Sequence, residues 1–300
     1  MPATRRLLLQ AAAASPALLL GCAESDPLDE AIERIRPLSR RMDPLRPGDW
    51  LESHREPGQT YREYRTAINK RAIDSYKSIR VVPIGLLSEG QQAVLDITVE
   101  FMRPFFGLPL ELDAPVALQT VPADAQRRRF DDDTLQLLTS YLLNNTLKAR
   151  RKSTDAAVLG ITAEDLWPGP GWNFVFGQAS LTERVGVWSM ARNGDPDSDS
   201  DVGMLWLAAQ RTVMTATHET GHMFGIRHCT AWKCGMNGSN SLQERDRQPF
   251  EFCSECQPKL WWTLGLDPLK RSQALEEVAR RLNFPDIAAA LAAQSRALAG

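Results

Sequence analysis

The chain has 300 residues, of which 43% are hydrophobic and 24% are charged, and this composition excludes a disordered or collagen-like protein. The 35 Lys and Arg residues are balanced by 37 Asp and Glu residues, which gives a formal net charge of -2. We therefore expect no nucleic-acid partner, because the chain has no excess of positive charge to neutralise phosphates.

Residues 1–21 have the layout of an export signal. Arg5 and Arg6 precede the apolar run 7–20, which is shorter than the roughly 20 residues that a membrane-spanning helix needs. Residues 4–10 also resemble a twin-arginine signal, which directs the export of folded proteins. A general secretory signal with a basic start is the alternative. Either interpretation predicts an exported protein.

The end of this segment, Leu19-Leu20-Gly21-Cys22, is similar to the lipobox of bacterial lipoproteins. In such proteins, cleavage after the glycine leaves a cysteine that receives lipid. The resemblance implies that Cys22 carries a lipid anchor and that this anchor is the only contact with a membrane. It also implies that the protein lies on the periplasmic side of the cell envelope.

The remaining chain divides into a polar extension and an α/β region. Residues 22–77 are rich in arginine and contain only short helical patterns, so we expect an N-terminal extension packed onto a core, with His54 at the surface. Beyond it, we predict strands at 79–84, 107–112, 156–161, 174–180 and 185–189, and helices at 89–106, 131–148, 202–224, 269–282 and 286–299. Alternating strands and helices predict an α/β fold. The last two strands should pair antiparallel, because no helix separates them.

The acidic loop 195–201 precedes the predicted helix 202–224. Calcium binding is one interpretation of its alternating aspartates, but Ser200 and Trp206 stand where a familiar calcium loop has glycine and glutamate. We favour a helix cap formed by Asp199, Ser200 or Asp201.

The predicted helix 202–224 contains His218-Glu219-Thr220-Gly221-His222. Histidines four residues apart lie on one helix face, so both imidazoles can bind one metal ion, and Glu219 can act as general base on a water. Gly225 can end the helix, so that the chain turns back and brings His228 to the same ion. Three histidines and a water make an open, catalytic zinc site. The alternative is a set of structural histidines on an ordinary helix.

The four cysteines other than Cys22 lie within 28 residues, and this clustering suggests one shared site. They are Cys229, Cys234, Cys253 and Cys256. Two disulfides are the alternative in an oxidising compartment. A thiol oxidoreductase that uses Cys253 and Cys256 would need free sulfurs, and the clustering argues against it.

The motif HExxHxxGxxH followed by a methionine turn is the signature of the metzincin peptidases, and Met236 is placed to be that methionine. The chain resembles the archaemetzincins in the positions of its cysteines. Cys229 directly follows the third histidine, Cys234 precedes Met236, and Cys253 and Cys256 form a later pair. The resemblance covers residues 79–266, including 158–162, 172–179 and 235–240.

This resemblance implies a metzincin-like catalytic domain at residues 78–268, followed by a helical tail at 269–300. The domain would have a mixed twisted sheet, a zinc-binding active-site helix and a small C-terminal subdomain that holds a zinc site of four cysteines. Two zinc ions per chain are implied: a catalytic ion on His218, His222 and His228, and a structural ion on Cys229, Cys234, Cys253 and Cys256.

The implied activity is zinc-dependent hydrolysis of a peptide or protein substrate, with Glu219 as base. The edge strand that binds the substrate in metzincins corresponds here to Phe176, Gly177, Gln178 and Ala179. A lipid-anchored zinc protein that binds peptides without cleaving them is the alternative. Glu219 argues against it, because a binding module needs no base at that position.

Overall fold

The computed structural model describes residues 26–68, 75–180, 182–199, 201 and 203–300. The strands are β1 Ser78–Ile84, β2 Leu110–Leu112, β3 Gln126–Arg128, β4 Leu135–Leu138, β5 Asp155–Thr162, β6 Asp165–Trp167, β7 Gly177–Ser180 and β8 Val185–Ser189. The helices are α1 Asp29–Ile35, α2 Trp50–Ser53, α3 Tyr61–Ala67, α4 Glu89–Phe106, α5 Thr139–Tyr141, α6 Gly203–Met223, α7 Leu242–Arg245, α8 Gln257–Leu264, α9 Pro268–Arg281 and α10 Pro285–Ala299. In this part of the chain, none of the helices is long and apolar enough to span a membrane.

The main sheet has five strands in the order β2-β1-β5-β8-β7. Its first four strands run parallel, and β7 at one edge is antiparallel to β8, as the sequence predicts. A second sheet has the order β3-β4-β6, in which β3 and β4 are antiparallel and β4 and β6 are parallel. The fold is therefore mixed α/β with mixed sheets.

Both faces of the main sheet are covered, which is why β1 and β5 are buried along their whole length. The apolar residues of these two strands are divided between two separate cores. Val81 and Leu159 pack in the core that includes residues of α4, α6, α9 and α10. Val82 and Val158 pack in the core that includes residues of β4, β6 and the segment 116–147.

Helix α4 illustrates how local signals fix an element. The Ser88 side chain accepts a hydrogen bond from the Gln91 N–H at 3.2 Å, and the Gln91 side chain accepts one from the Ser88 N–H at 3.0 Å. This reciprocal cap begins the helix. Gly107, with a φ of 60°, follows its last turn in the left-handed conformation.

The predicted helix 131–148 is wrong in its first half. Leu135–Leu138 is strand β4, and helix begins only at Thr139, continuing as a π-helical turn at Leu142–Leu147 and a 3₁₀ turn at Lys148–Arg150. The leucine spacing fits either period, and pairing with β6 decides for the strand. The buried Gln136 side chain donates to Asp165 of β6 at 2.7 Å.

Two predicted strands are also shorter than expected. The strand at 107–112 is formed only by Leu110–Leu112, and the strand at 174–180 begins only at Gly177. Before that point, Val175 makes a single bridge to Leu166 of β6. The chain thus passes from the second sheet to the main sheet just before the strand that borders the cleft.

Candidate active site and metal centres

Two histidines lie one turn apart on α6 and point to the same place. The Nε2 atoms of His218 and His222 are 3.0 Å apart. This proximity follows from their spacing, because side chains four residues apart share a helix face. Asp201, one of the three residues predicted to cap this helix, does so. One of its carboxylate oxygens accepts a hydrogen bond from the Gly203 N–H at 2.8 Å.

The third histidine approaches from beyond the helix end. Gly225 has a φ of 84°, a left-handed conformation that ends α6. The chain then turns, and the Ile226 N–H donates to the Gly221 carbonyl at 3.1 Å. His228 comes to lie with its ring centroid 4.8 Å from that of His222. The three histidines thus have ligand atoms within 4.8 Å of one another.

Each of these imidazoles is held by a hydrogen bond at its Nδ1 atom. His218 donates to the Gly235 carbonyl at 2.8 Å, and His222 donates to the Ile226 carbonyl at 2.7 Å. The Nδ1 atom of His228 lies 2.9 and 3.0 Å from the two carboxylate oxygens of Glu56. A carbonyl can only accept, so the proton of His218 and of His222 is on Nδ1 and their Nε2 lone pairs are free.

This donor set suits zinc, which takes neutral imidazole nitrogen as a ligand. Burial, and next the neighbouring histidines, hold the pKa of His218 well below its usual value. Burial and the proximity of His228 lower the pKa of His222 to about 4. Two unprotonated nitrogens at 3.0 Å repel each other, and a shared cation removes this repulsion.

Glu219 lies beside the histidines and is only 8% exposed. Burial raises the pKa of its carboxyl to about 8, and the positive charge of Arg245 acts in the opposite direction. Strand β7 passes directly over it, since a Cβ atom placed on Gly177 would lie 2.9 Å from the Glu219 Cγ. The position of the carboxylate thus depends on glycine in β7.

Met236 lies under the histidine-bearing turn of α6. It is fully buried, and a Cβ atom on Gly221 would be 2.7 Å from its sulfur. Glycine at this position lets the helix approach the methionine closely. The arrangement fits the methionine turn that the sequence predicts at Met236, with the side chain as an apolar support under the histidines.

The four predicted cysteines come together in a second cluster. Their sulfur atoms lie within 4.8 Å of one another and all four residues are buried, and the Sγ atoms of Cys229 and Cys253 are 3.7 Å apart. This separation is much longer than a disulfide bond of about 2.05 Å, and all four thiols are free. The Cys234 sulfur also accepts from the backbone N–H of Cys253 at 3.2 Å and of Met236 at 3.4 Å. The cluster can hold a metal ion in a closed site.

The backbone couples the two clusters. His228 and Cys229 are consecutive, and the Cys229 N–H donates to the Met236 carbonyl at 2.8 Å. Gly235, whose carbonyl holds His218, lies between Cys234 and Met236. A change in the cysteine cluster therefore moves groups that position the histidines.

A cleft of about 770 Å³ opens over the histidines and Glu219. The four predicted substrate-binding residues all line it, and three of them belong to edge strand β7: Phe176, Gly177, Gln178 and Ala179. The sheet ends at β7, so one side of this strand has no neighbouring strand within the described sheet.

The N-terminal extension supplies part of this cleft, which sequence reasoning missed. Trp50, Glu56 and Gly58 line it, and the Trp50 indole N–H donates to Glu56 at 3.0 Å. His54, predicted at the surface, is partly buried and stacks on Trp50 with ring centroids 3.9 Å apart. No sequence signal marks these residues, because about 170 residues separate Glu56 from His228.

The acidic loop is used for helix capping. Asp201 caps α6, and Asp197 helps to cap α4. The Asp197 carboxylate accepts a hydrogen bond from the Gly90 N–H at 2.7 Å and another from the Ser88 hydroxyl, both at the start of α4. Among the described residues, the groups of three or more potential metal ligands that lie together are the histidine and cysteine clusters.

Comparison of the sequence with known proteins relates the chain repeatedly to one family of peptidases. Residues 117–261 match the model of peptidase family M54. The chain is 32% identical to Archaemetzincin-2 of Pongo abelii, over 81% of this chain and 76% of that protein. It is 45% identical to the archaemetzincin of Methanopyrus kandleri, over 40% of this chain and 63% of that protein.

The similarity extends to a solved structure. The crystal structure of the archaemetzincin of Methanopyrus kandleri matches with a TM-score of 0.50 and 31% identity, and the match covers 64% of this chain and 97% of that one. The chain therefore belongs to the archaemetzincins, the zinc metallopeptidases of family M54.

Proposed function

We propose that this chain hydrolyses peptide bonds with a zinc ion held by His218, His222 and His228 and with Glu219 as general base. The observation that carries the proposal is the convergence of three histidines beside a buried glutamate at a cleft, with every Nδ1 atom engaged in a hydrogen bond. This leaves the Nε2 atoms available for the metal.

A zinc ion held by His218, His222 and His228 would supply a Lewis acid that lowers the pKa of a water and polarises a carbonyl. Glu219 accepts a proton from the attacking water and later delivers it to the leaving amine. Burial raises the pKa of the Glu219 carboxyl, and a zinc ion beside it would act in the opposite direction by favouring the carboxylate that accepts the proton. Met236 supports the histidine-bearing turn from below.

The substrate would lie along β7 in an extended conformation. Phe176, Gly177, Gln178 and Ala179 border the cleft, and a peptide strand added to the free side of β7 would pass next to Glu219. Backbone hydrogen bonds of this kind bind a peptide with little dependence on its sequence.

We further propose that Cys229, Cys234, Cys253 and Cys256 bind a structural zinc, which brings the total to two zinc ions per chain. Four buried thiols cannot all ionise without a cation, and four thiolates with these spacings fit a closed tetrahedral site. The ion would stabilise the loop segment between α6 and α8, a small subdomain after the active-site helix.

The location in the cell is proposed from the sequence alone, because Cys22 and the signal lie outside the described residues. We propose export to the cell envelope and lipid anchoring at Cys22. Labelling of expressing cells with an alkyne fatty acid should mark the wild-type protein. Absence of label, or equal label on a Cys22→Ser variant, would refute the anchor.

The activity is tested by mass-spectrometric profiling of a diverse peptide mixture incubated with the zinc-loaded protein and with its Glu219→Ala variant. We expect new peptide termini with the wild type and a loss of rate of about 10²-fold to 10⁴-fold in the variant, at unchanged zinc content. Glu277→Ala, a change of an exposed glutamate on α9, is the matched control.

Equal cleavage by the wild type and the Glu219→Ala variant would refute the mechanism. Absence of any cleavage by zinc-loaded wild type would instead favour a protein that binds peptides without hydrolysing them.

A further inference from the structure

A buried arginine lines the cleft and has no part in the reaction proposed above. Arg245 ends α7 and is 7% exposed, yet it contributes to the cleft wall together with Glu219 and Phe176. Its Nη2 donates a hydrogen bond to the carbonyl of Arg211 in α6. Its Nη1 is buried and has no hydrogen-bond partner. One end of the guanidinium is thus fixed to α6, and the other end lacks an acceptor.

Arg245 also lacks a close ion pair, although the charges of Asp246 and Glu219 act on it from farther away. In the part of the chain that the structure describes, no carboxylate oxygen makes an ion pair with it, and the neighbouring Asp246 pairs with Arg211 instead. Burial lowers the pKa of Arg245 to about 10, so the side chain remains charged at neutral pH. A buried charge without a close partner is unfavourable, and an anion bound to the free Nη1 would reduce this cost.

Gln248 adds a second unsatisfied polar group to the same wall. Its backbone N–H donates to the Arg245 carbonyl at 2.9 Å, so the two residues lie on one helical turn. Gln248 lines the cleft, and its Oε1 is buried without a partner. Rotation of the amide exchanges its oxygen and nitrogen, so the side chain can also donate to an acceptor that enters the cleft.

Arg245 lies close to the reacting groups. Its guanidinium carbon is 5.5 Å from the centroid of the Phe176 ring, directly before β7. Its charge also acts on both Glu219 and His218. A ligand group that reaches Arg245 is therefore carried by a part of the substrate near the bond to be cleaved.

We propose that Arg245 forms a carboxylate-binding subsite, so that the enzyme prefers peptides with a carboxylate close to the scissile bond. This inference rests on the proposed peptidase function. The fork of N–H donors on a guanidinium matches the two oxygens of a carboxylate, and such charge-assisted pairs are strong. Either an acidic side chain or a free C-terminus supplies this group.

The first test uses wild-type protein loaded with zinc. Alanine-based octapeptides with blocked ends carry glutamate or its neutral isostere glutamine at each position in turn. A parallel series compares free C-terminal acids with C-terminal amides of decreasing length. We expect a preference of about tenfold or more in kcat/KM for the charged member at one position relative to the cleaved bond. The first series reports a side-chain carboxylate and the second a terminal one.

Two variants of Arg245 and one control variant then test whether Arg245 causes this preference. Arg245→Gln should reduce the ratio between the charged and neutral peptides to about one, and Arg245→Lys should keep part of it, because the charge remains while the fork is lost. Arg227→Gln is the matched control, since Arg227 lines the same cleft but is exposed. It should preserve the ratio. Melting temperatures and zinc contents establish that each variant is folded.

Equal wild-type rates for all charged and neutral pairs would overturn the subsite while leaving the peptidase function intact. A loss of rate in Arg245→Gln that is the same for both members of a pair would also overturn it, because Arg245 would then act on the reaction itself. A failure of wild type to cleave any peptide would contradict the proposed function instead. Competition of the same peptides for a fluorescein-labelled glutamate peptide bound to Glu219→Ala would then decide the subsite, and equal displacement by charged and neutral peptides would refute it.

Discussion

At the scale of single residues, the N-terminal extension reaches the histidine site through the contact between Glu56 and His228. The carboxylate lies 2.9 Å from the His228 Nδ1 and is itself held by the indole N–H of Trp50. A carboxylate on Nδ1 orients the ring and makes Nε2 a stronger ligand. The other two histidines have neutral backbone carbonyls in the same position. His228 is thus the histidine with a charged supporting group.

We expect Glu56→Gln to weaken zinc binding at the histidines by about 10-fold to 100-fold, because the neutral amide keeps the shape of the side chain but loses its charge. Competition with a chromogenic chelator measures this affinity. Glu52→Gln is the control, since Glu52 lies in the same segment but is exposed and accepts a hydrogen bond from the nearby Gly48 N–H. Unchanged zinc affinity in Glu56→Gln would mean that the contact has no influence on the metal.

At the scale of elements, the approach of β7 to α6 determines where Glu219 lies. A Cβ atom on Gly177 would be 2.9 Å from the Glu219 Cγ and 3.0 Å from its Oε1. The strand is fixed by its pairing with β8, so the glutamate side chain is the group that must move. The packing of a strand against a helix thus sets the geometry of the proposed base.

Gly177→Ala should therefore lower kcat by about tenfold to a hundredfold, in keeping with the effect of a 1 Å displacement of a reacting group. Zinc content and melting temperature should change little, because neither the histidines nor the core is touched. Initial rates with a peptide that the wild type cleaves, together with metal analysis and thermal unfolding, measure the three quantities. A Gly177→Ala variant with wild-type kcat would show that Glu219 tolerates displacement.

At the scale of the whole molecule, the cysteine cluster ties distant parts of the chain together. Cys229 follows directly on His228, and Cys256 immediately precedes α8. The Ser254 N–H donates to Ser39 of the N-terminal extension at 2.9 Å. Loss of order in this cluster should consequently reach the histidine site and the extension.

We expect exhaustive chelation to release four thiols to Ellman's reagent, where the untreated native protein releases none. Stripping should also lower the melting temperature by about 10 °C, because a tightly bound ion contributes several kcal/mol to the free energy of unfolding. Cys234→Ser should weaken zinc binding at the histidines as well, through the Gly235 carbonyl. Thiols that appear only after reduction would mean disulfides, and thiols that react before chelation would refute the cysteine-bound zinc.

The sequence by itself determined those features that depend on neighbours along the chain. The pairing of His218 with His222 follows from helix geometry, and the return of His228 follows from the left-handed turn at Gly225. The strands β1, β5 and β8 follow from short runs of apolar and β-branched residues, and the helices α4, α6, α9 and α10 follow from apolar residues at helical spacing. Four cysteines within 28 residues also indicated one shared site, and their sulfur atoms do lie together.

The tertiary structure alone decided which distant segments meet. Leu135–Leu138 became a strand because β6 offers it a partner, although its leucines also fit a helix. Glu56 reaches His228, and Arg245 meets Phe176, across long stretches of chain whose packing no local pattern encodes. The physical reason is that helical periodicity and capping involve interactions over a few residues, whereas the environment of a side chain is set by whichever elements the core brings against it.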